Sequence, residues 1–237
     1  MVMASSIMAL LLALSMRLLT KDRLIREGRW AEKANYHGVA LTGKTLGSIG
    51  VGNIGHEMFK LAKPFDMKHI AYDRYVTQDA VADVGVRLVD MDTVLTESDF
   101  LNISCPLNES TYHLIGEREL HRMKKTAFLI NTARGPIVDE AALIKALQEG
   151  WIQGAGIDVF EQEPTPPDNP LLKLDNVILA PHALCLVDDY FTVYWNQICR
   201  QISQIIRGEV PESLVNREVW DKPELQSKLK KFRASLK

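Results

Sequence analysis

Apolar and polar positions follow two rhythms along this chain. From Thr42 onward, short β-branched or apolar runs alternate with stretches whose apolar residues recur at helical spacing, a pattern that predicts a parallel sheet with crossover helices. The runs are TLGSIG (45–50), KHIAY (68–72), FLNIS (100–104), AFLIN (127–131), IQGAGIDV (152–159) and NVILA (176–180). Helices are expected over residues 53–63, 91–97, 116–122 and 140–149, and a long amphipathic segment over 188–207 that Gly208 stops. The Pro-rich stretch 163–170 reads as a loop, and the Lys-rich end, 222–237, as a solvated helix.

Ahead of this pattern, Met1 to Met16 carries no charge. A membrane span needs about 20 apolar residues, and this run is shorter and interrupted by Ser5, Ser6 and Ser15. A secretory signal would place basic residues before the apolar stretch, whereas Arg17 and Lys21 follow it. A buried helix is expected, with no membrane partner.

Composition narrows the classes further. The 237 residues, 46% hydrophobic and 24% charged, suit a globular chain of one large domain, or of one domain with an appendage. Lys and Arg total 28 against 30 Asp and Glu, so the net charge of -2 supplies no basic field for nucleic acid. Cys105, Cys185 and Cys199 are too scattered for a disulfide framework or a CxxC metal site, which makes a reducing cytoplasm the default. His37, His56, His69, His113 and His121 show no ligand spacing and read as structural or solvated, so no metal is expected.

Candidate chemistry begins at Gly50-Val-Gly52-Asn-Ile-Gly55, which follows a predicted strand and opens a predicted helix. Such glycines permit a tight turn and close backbone approach to a pyrophosphate, which then sits at the positive end of the helix dipole. An acidic residue at the tip of the second strand would accept hydrogen bonds from ribose hydroxyls, and Asp73 lies 18 residues after Gly55. Its carboxylate would repel a 2′-phosphate and so favours NAD, although Arg74 beside it pulls the other way. The pair Gly154 and Gly156 lies within a strand and reads as a close-packing device.

Ligands of open parallel sheets bind beyond the carboxyl ends of the strands. There the sequence places Cys105-Pro106, then Asn131-Thr132-Ala133-Arg134-Gly135, then Asp158 and Glu163, then Pro181-His182. Arg134 offers a planar fork for a carboxylate. His182 can exchange a proton near neutral pH, and Glu163 can hold the imidazole and favour its protonated form. Cys105, with no base neighbouring it in sequence, reads as an apolar wall of the cofactor site. Trp195 reads as core or interface.

Five ordered blocks, LTGKTLGSIGVGNIG, NISCPLNESTYHLI, LINTARGPIVDEAAL, GAGIDVFEQEP and APH, resemble the D-isomer-specific 2-hydroxyacid dehydrogenases over nearly the whole chain to about Arg217. The resemblance implies a Rossmann-type doubly wound parallel sheet in an α/β fold, with an N-terminal connecting helix and a C-terminal helical tail. It implies NAD as cofactor, a small 2-oxo or 2-hydroxy acid as substrate, and a homodimer. Arg134 would bind the substrate carboxylate and carbonyl, Glu163 would support the histidine, and His182 would be the acid/base. Asp158 would touch the nicotinamide end, and Asn53, Ile54, Asp73, Cys105, Thr132 and Ala133 match cofactor-contacting positions.

The expected organisation is a connecting helix over 1–35, an NAD-binding domain over 36–208 and a tail over 209–237. Family members begin with a substrate domain, and this sequence shows none of it, so the resemblance implies the chemistry with an incomplete substrate pocket. After His182 the family's Gly-rich continuation is replaced by Ala183-Leu-Cys-Leu-Val187. Three readings stay open on sequence alone: a dehydrogenase, a non-catalytic NAD(H)-binding or sensing module, and an inactive fragment.

Overall fold

The computed structural model describes residues 2–188 and 190–235. Met1, Asp189 and the last two residues, which the sequence places in the first helix, the long C-terminal segment and the tail, lie outside the described residues. The chain forms two compact units, Met1–Cys185 and Leu186–Lys237.

The first unit is built on seven strands: β1 (Thr45–Ile49), β2 (Lys68–Tyr72), β3 (Val86–Leu88), β4 (Phe100–Ile103), β5 (Phe128–Asn131), β6 (Gly154–Ile157) and β7 (Val177–Leu179). All pair in parallel in the order β3-β2-β1-β4-β5-β6-β7, so the winding reverses between β1 and β4. This is the doubly wound Rossmann-type sheet expected from the sequence. Strand β3 was not foreseen: Val86-Arg87-Leu88 is three residues at the sheet edge with Arg87 exposed, too short and too mixed to stand out as a run.

Burial on both faces explains why the central strands read as continuous apolar runs. Successive side chains serve opposite faces. Leu101, Ile103, Leu129 and Ile157 join one core beneath α4 (Met91–Glu97), α5 (Glu117–Arg122) and α6 (Glu140–Glu149), whereas Leu46, Phe100, Phe128 and Ile130 join a second core with α1 (Val2–Ser15) and α3 (Asn53–Ala62). Asp90 and Asp139 start α4 and α6 by accepting from the amides of Thr93 (2.7 Å) and Ala142 (3.0 Å).

The apolar N-terminal run is helical and buried, with Ile7 and Leu11 wholly enclosed. The connecting segment is not one helix. It breaks after Ser15, where Arg17 turns left-handed (φ +51°), and resumes as α2 (Leu18–Arg26) at an angle of 58°. The break is fixed because the Ser15 carbonyl accepts the amide of Val39 at 2.7 Å rather than continuing the helix. Among the described residues no single helix is long and apolar enough to cross a membrane.

Glycines permit two close approaches. A Cβ on Gly156 would meet Leu10 of α1 at 3.2 Å, so its absence lets α1 lie on β6. A Cβ on Gly135 would fall 1.9 Å from the Phe160 carbonyl oxygen, where the loop after β5 crosses the loop after β6.

The second unit holds α7 (Tyr190–Arg207), ended at Gly208 (φ +86°), and α8 (Pro223–Ser235), which packs against it. Trp195, read from sequence as core or interface, is exposed within this chain.

The Gly135 crossing yields a stability prediction. Gly135→Ala forces two backbones apart and should lower unfolding free energy by about 3 kcal/mol or more, at the severe end of overpacking. Urea unfolding followed by circular dichroism measures it, and a loss below about 1 kcal/mol would contradict the crossing.

Candidate functional site

Register decides which residues meet. Ile49 pairs with Tyr72 and with Ile103, Ile103 with Asn131, Asn131 with Ile157, and Ile157 with Leu179. One residue further along each strand, Gly50, Asp73, Ser104, Thr132, Asp158 and Ala180 form a row across the carboxyl edge.

At the reversal point between β1 and β4, Gly50 takes φ +91°, and a Cβ there would meet the Cys105 amide at 2.7 Å. A Cβ on Gly55 would meet the Gly50 carbonyl at 2.9 Å, which fixes α3 close behind the turn. Gly52 is different, because a Cβ there would meet nothing within 4 Å. Internal packing therefore gives no reason for its bareness, whereas a ligand lying against the start of α3 would. Asn53 and Ile54 are exposed in the first turn of that helix.

Asp73 at the tip of β2 is tied into the same turn. Its Oδ2 accepts the Val51 amide at 2.9 Å, and its Oδ1 accepts the amides of Tyr75 (2.8 Å) and Val76 (3.2 Å). Arg74 points its Nε to the Tyr72 hydroxyl at 2.9 Å. Gly50, Gly52, Asp73, Cys105 and Pro106 line a cleft of about 150 Å³ here. Burial pushes the Cys105 thiol up to about 11, so it stays protonated, in keeping with a wall and not a nucleophile. Bare glycines, a helix N-terminus and a carboxylate fit a dinucleotide.

The second half of the row carries the acid–base groups. Asn131, buried at the end of β5, accepts the Ala133 amide and donates to the Arg134 carbonyl, both at 3.0 Å, which shapes the loop that presents Arg134. Thr132 is buried and Ala133 partly so. Arg134 is exposed, with Nη1 donating to its neighbour's carbonyl at 2.6 Å.

His182 and Glu163, 19 residues apart, meet with Nδ1 and Oε2 separated by 2.7 Å. The other carboxylate oxygen, Oε1, accepts the Phe160 amide at 2.9 Å, so Glu163 is held at both ends. Partial burial pushes the Glu163 carboxyl up. The His182 hydrogen bond, the Phe160 amide and the charges of His182 and Arg134 more than offset this, leaving it below the usual carboxylate range. Asp158, 1% exposed, goes the other way, because burial raises its pKa against the opposing pull of the Ala183 and Leu184 amides and of His182. Arg134, Glu163, His182 and Asp158 therefore form one electrostatic group.

The structure places the candidate site residues at or beside the carboxyl edge of the sheet, and adds others. Asn131 was placed at the strand end by the sequence but given no role, although a polar side chain ending an apolar run was a signal for one. The pair Ser48 and Asn102 was also missed. Ser48 donates to the Gly50 carbonyl at 2.7 Å, and Asn102 donates to Ser104 at 2.6 Å. His113, Asp139 and Glu161 bring ligand-type atoms within 4.8 Å of one another. Their atoms are already engaged: His113 bonds Glu161 at 2.6 Å, Glu161 accepts the Glu140 amide, and Asp139 caps α6. The larger hollow, about 600 Å³, lies at the amino ends of β5 to β7 between Arg17, Phe128 and Ile178, away from the chemistry.

Residues 8–183 match the family described as "D-isomer specific 2-hydroxyacid dehydrogenase, NAD binding domain". The chain belongs to this family. It is 47% identical over 216 residues to the glyoxylate reductase of Korarchaeum cryptofilum, covering 89% of this chain and 64% of that relative. A D-3-phosphoglycerate dehydrogenase of Methanocaldococcus jannaschii is 41% identical, over 88% of this chain and 40% of its own length. Among solved structures, the D-lactate dehydrogenase of Aquifex aeolicus complexed with NAD and lactic acid superposes with a TM-score of 0.80 at 30% identity, over 88% of this chain and 67% of that one. Residues 8–183, which carry this cleft, accordingly have the fold of an NAD-binding domain.

A cofactor prediction follows from Gly52. Gly52→Ala meets no protein atom, so its thermal midpoint should move little, while NADH affinity, measured by fluorescence titration, should fall about tenfold or more, equivalent to about 1.4 kcal/mol. Unchanged affinity would remove the pyrophosphate from this turn.

Proposed function

We propose that this chain is the catalytic and cofactor-binding part of an NAD-dependent reductase of small 2-oxo acids, a 2-hydroxyacid dehydrogenase in the reverse direction. The observation that carries the reading is the 2.7 Å contact between His182 and Glu163 at the strand ends, within the electrostatic reach of Arg134.

Bound NADH supplies the hydride. Arg134 holds the carboxylate of the 2-oxo acid and favours negative charge developing on the C2 oxygen. Glu163 accepts from His182 Nδ1, which leaves Nε2 as the atom that gives its proton to that oxygen. Because the folded Glu163 carboxyl sits below its ordinary 4.5, its support is present above that pH and is lost only as pH falls through the depressed value. Asp158 would lie toward the nicotinamide end, and Asn53, Ile54, Cys105, Pro106, Thr132 and Ala133 would help to hold the dinucleotide.

Asp73 supports a preference for NAD over NADP. Both its oxygens already accept backbone amides, so it is fixed where a 2′-phosphate would be repelled. A homodimer is the assembly we infer. The exposed apolar residues Leu18, Leu19, Ile25 and Trp30 on and beside α2 support it, since isologous pairs bury such patches. Three free cysteines suit a reducing cytoplasm. The segment 1–35 is read as an inter-domain connection, 36–208 as the NAD-binding domain and 209–237 as a tail.

Two substitutions test the roles. His182→Ala should leave NADH affinity nearly intact and lower turnover of glyoxylate or hydroxypyruvate about 100-fold or more. Arg134→Ala should raise KM and lower kcat together. Full activity in the histidine variant would move the acid/base role elsewhere, and NADH binding with no turnover of any 2-oxo acid would favour a sensing module. For the cofactor, Asp73→Ser should relax the preference for NADH over NADPH by about 1–3 kcal/mol. Tighter NADPH binding by the unmodified chain would refute the preference.

A further inference from the structure

The serines that interrupt the apolar face of α1 are not equivalent. Ser15 returns its hydroxyl to Leu12, one turn back in its own helix, at 3.0 Å. Ser6, only 6% exposed, places Oγ 2.8 Å from the Leu184 carbonyl oxygen and 3.1 Å from that of Val2. A hydroxyl has one proton to donate, and the shorter contact is the distant one. The partner, Leu184, stands two residues beyond His182.

His182 itself is left-handed, with φ +54°, a conformation that a side-chain-bearing residue keeps only where its surroundings hold it. Three bonds surround the turn. His182 Nδ1 meets Glu163 at 2.7 Å, the Ala183 amide donates to buried Asp158 at 3.0 Å, and the Leu184 carbonyl accepts from Ser6. Leu184 also packs on the core that α1 builds, and bare Gly156 lets α1 come close enough to reach it. The first two bonds act on the histidine and its neighbour. At the far end of the turn the Leu184 amide also pulls on Asp158, and the third bond ties the Leu184 carbonyl to a rigid helix.

We propose that Ser6 is a positioning residue for His182: its hydroxyl anchors the Leu184 carbonyl, locks the left-handed turn and so keeps the imidazole on Glu163. This rests on the reading of His182 as the acid/base. Without the hydroxyl the turn can relax toward ordinary backbone angles, and the imidazole then leaves its carboxylate for part of the time.

The test compares Ser6→Ala and Ser6→Thr with the unmodified full chain by nuclear magnetic resonance of the histidine ring N–H protons. The His182 signal is identified by its loss in His182→Gln. In the unmodified chain the hydrogen-bonded Nδ1–H should be downfield and slow to exchange. Ser6→Ala should speed its exchange about fivefold or more while NADH affinity stays within about twofold, and Ser6→Thr, which keeps a hydroxyl, should restore it. In steady-state reduction of glyoxylate, Ser6→Ala should lower kcat about tenfold with KM within about twofold. An unchanged resonance, a loss that threonine does not restore, or an altered resonance with unaltered kcat overturns the proposal. A chain that reduces no 2-oxo acid overturns the functional reading instead, and the resonance then decides the anchoring by itself.

Discussion

Parallel pairing in register is the constraint on which the rest of the molecule depends. Because the strands run the same way, the residue after each one falls on a common edge, and Gly50, Asp73, Ser104, Thr132, Asp158 and Ala180 line up there. A slip of one residue would reverse every side chain in the slipped strand. Leu101 and Ile103 would exchange faces with Phe100 and Asn102, and a buried amide would be driven into the apolar core. The two cores therefore hold the register, and the register holds the site. Precision at the edge is inherited from packing that lies well beneath it.

At that edge two carboxyl groups near one imidazole are driven in opposite directions. Glu163 is partly open to solvent and makes two hydrogen bonds, so its charged form is favoured. Asp158 is enclosed, so its charge is disfavoured except through the amides of the turn that follows the histidine. Separated environments of this kind give similar groups different work. On the proposed reading, Glu163 orients the ring, while Asp158 keeps the backbone that carries it in place and borders the cofactor.

Much of this was legible in the sequence. The apolar runs located six of seven strands, the glycine spacing located the turn at the reversal point, and Asp73 was foreseen at the tip of β2, where it lies. What escaped had physical reasons. Strand β3 is three residues long and half open, so it leaves no apolar run. The break at Met16 and Arg17 depends on Val39, a partner more than twenty residues away, and local pattern cannot report it. The pairing of Glu163 with His182 follows from the loop between β6 and β7 folding back on the sheet edge; the sequence could nominate the two residues, and only the fold could bring them to 2.7 Å.

Four of the polar residues inside apolar elements share one logic. An unpaired buried hydroxyl or amide costs about 1–3 kcal/mol, so each such residue in a core element needs a specific partner. Ser48 in β1 holds the Gly50 carbonyl, Asn102 in β4 holds Ser104, Asn131 in β5 holds Ala133 and Arg134, and Ser6 in α1 holds Leu184. In these four the partner lies in a loop at the carboxyl edge, whereas Ser15 of α1 bonds Leu12 within its own helix and His69 of β2 meets the Val84 carbonyl. Apolar packing alone would fix the strands and leave those loops free to choose among conformations. These four buried polar groups extend the rigidity of the core by a hydrogen bond or two into the loops they reach, which is the distance between a stable sheet and a defined site.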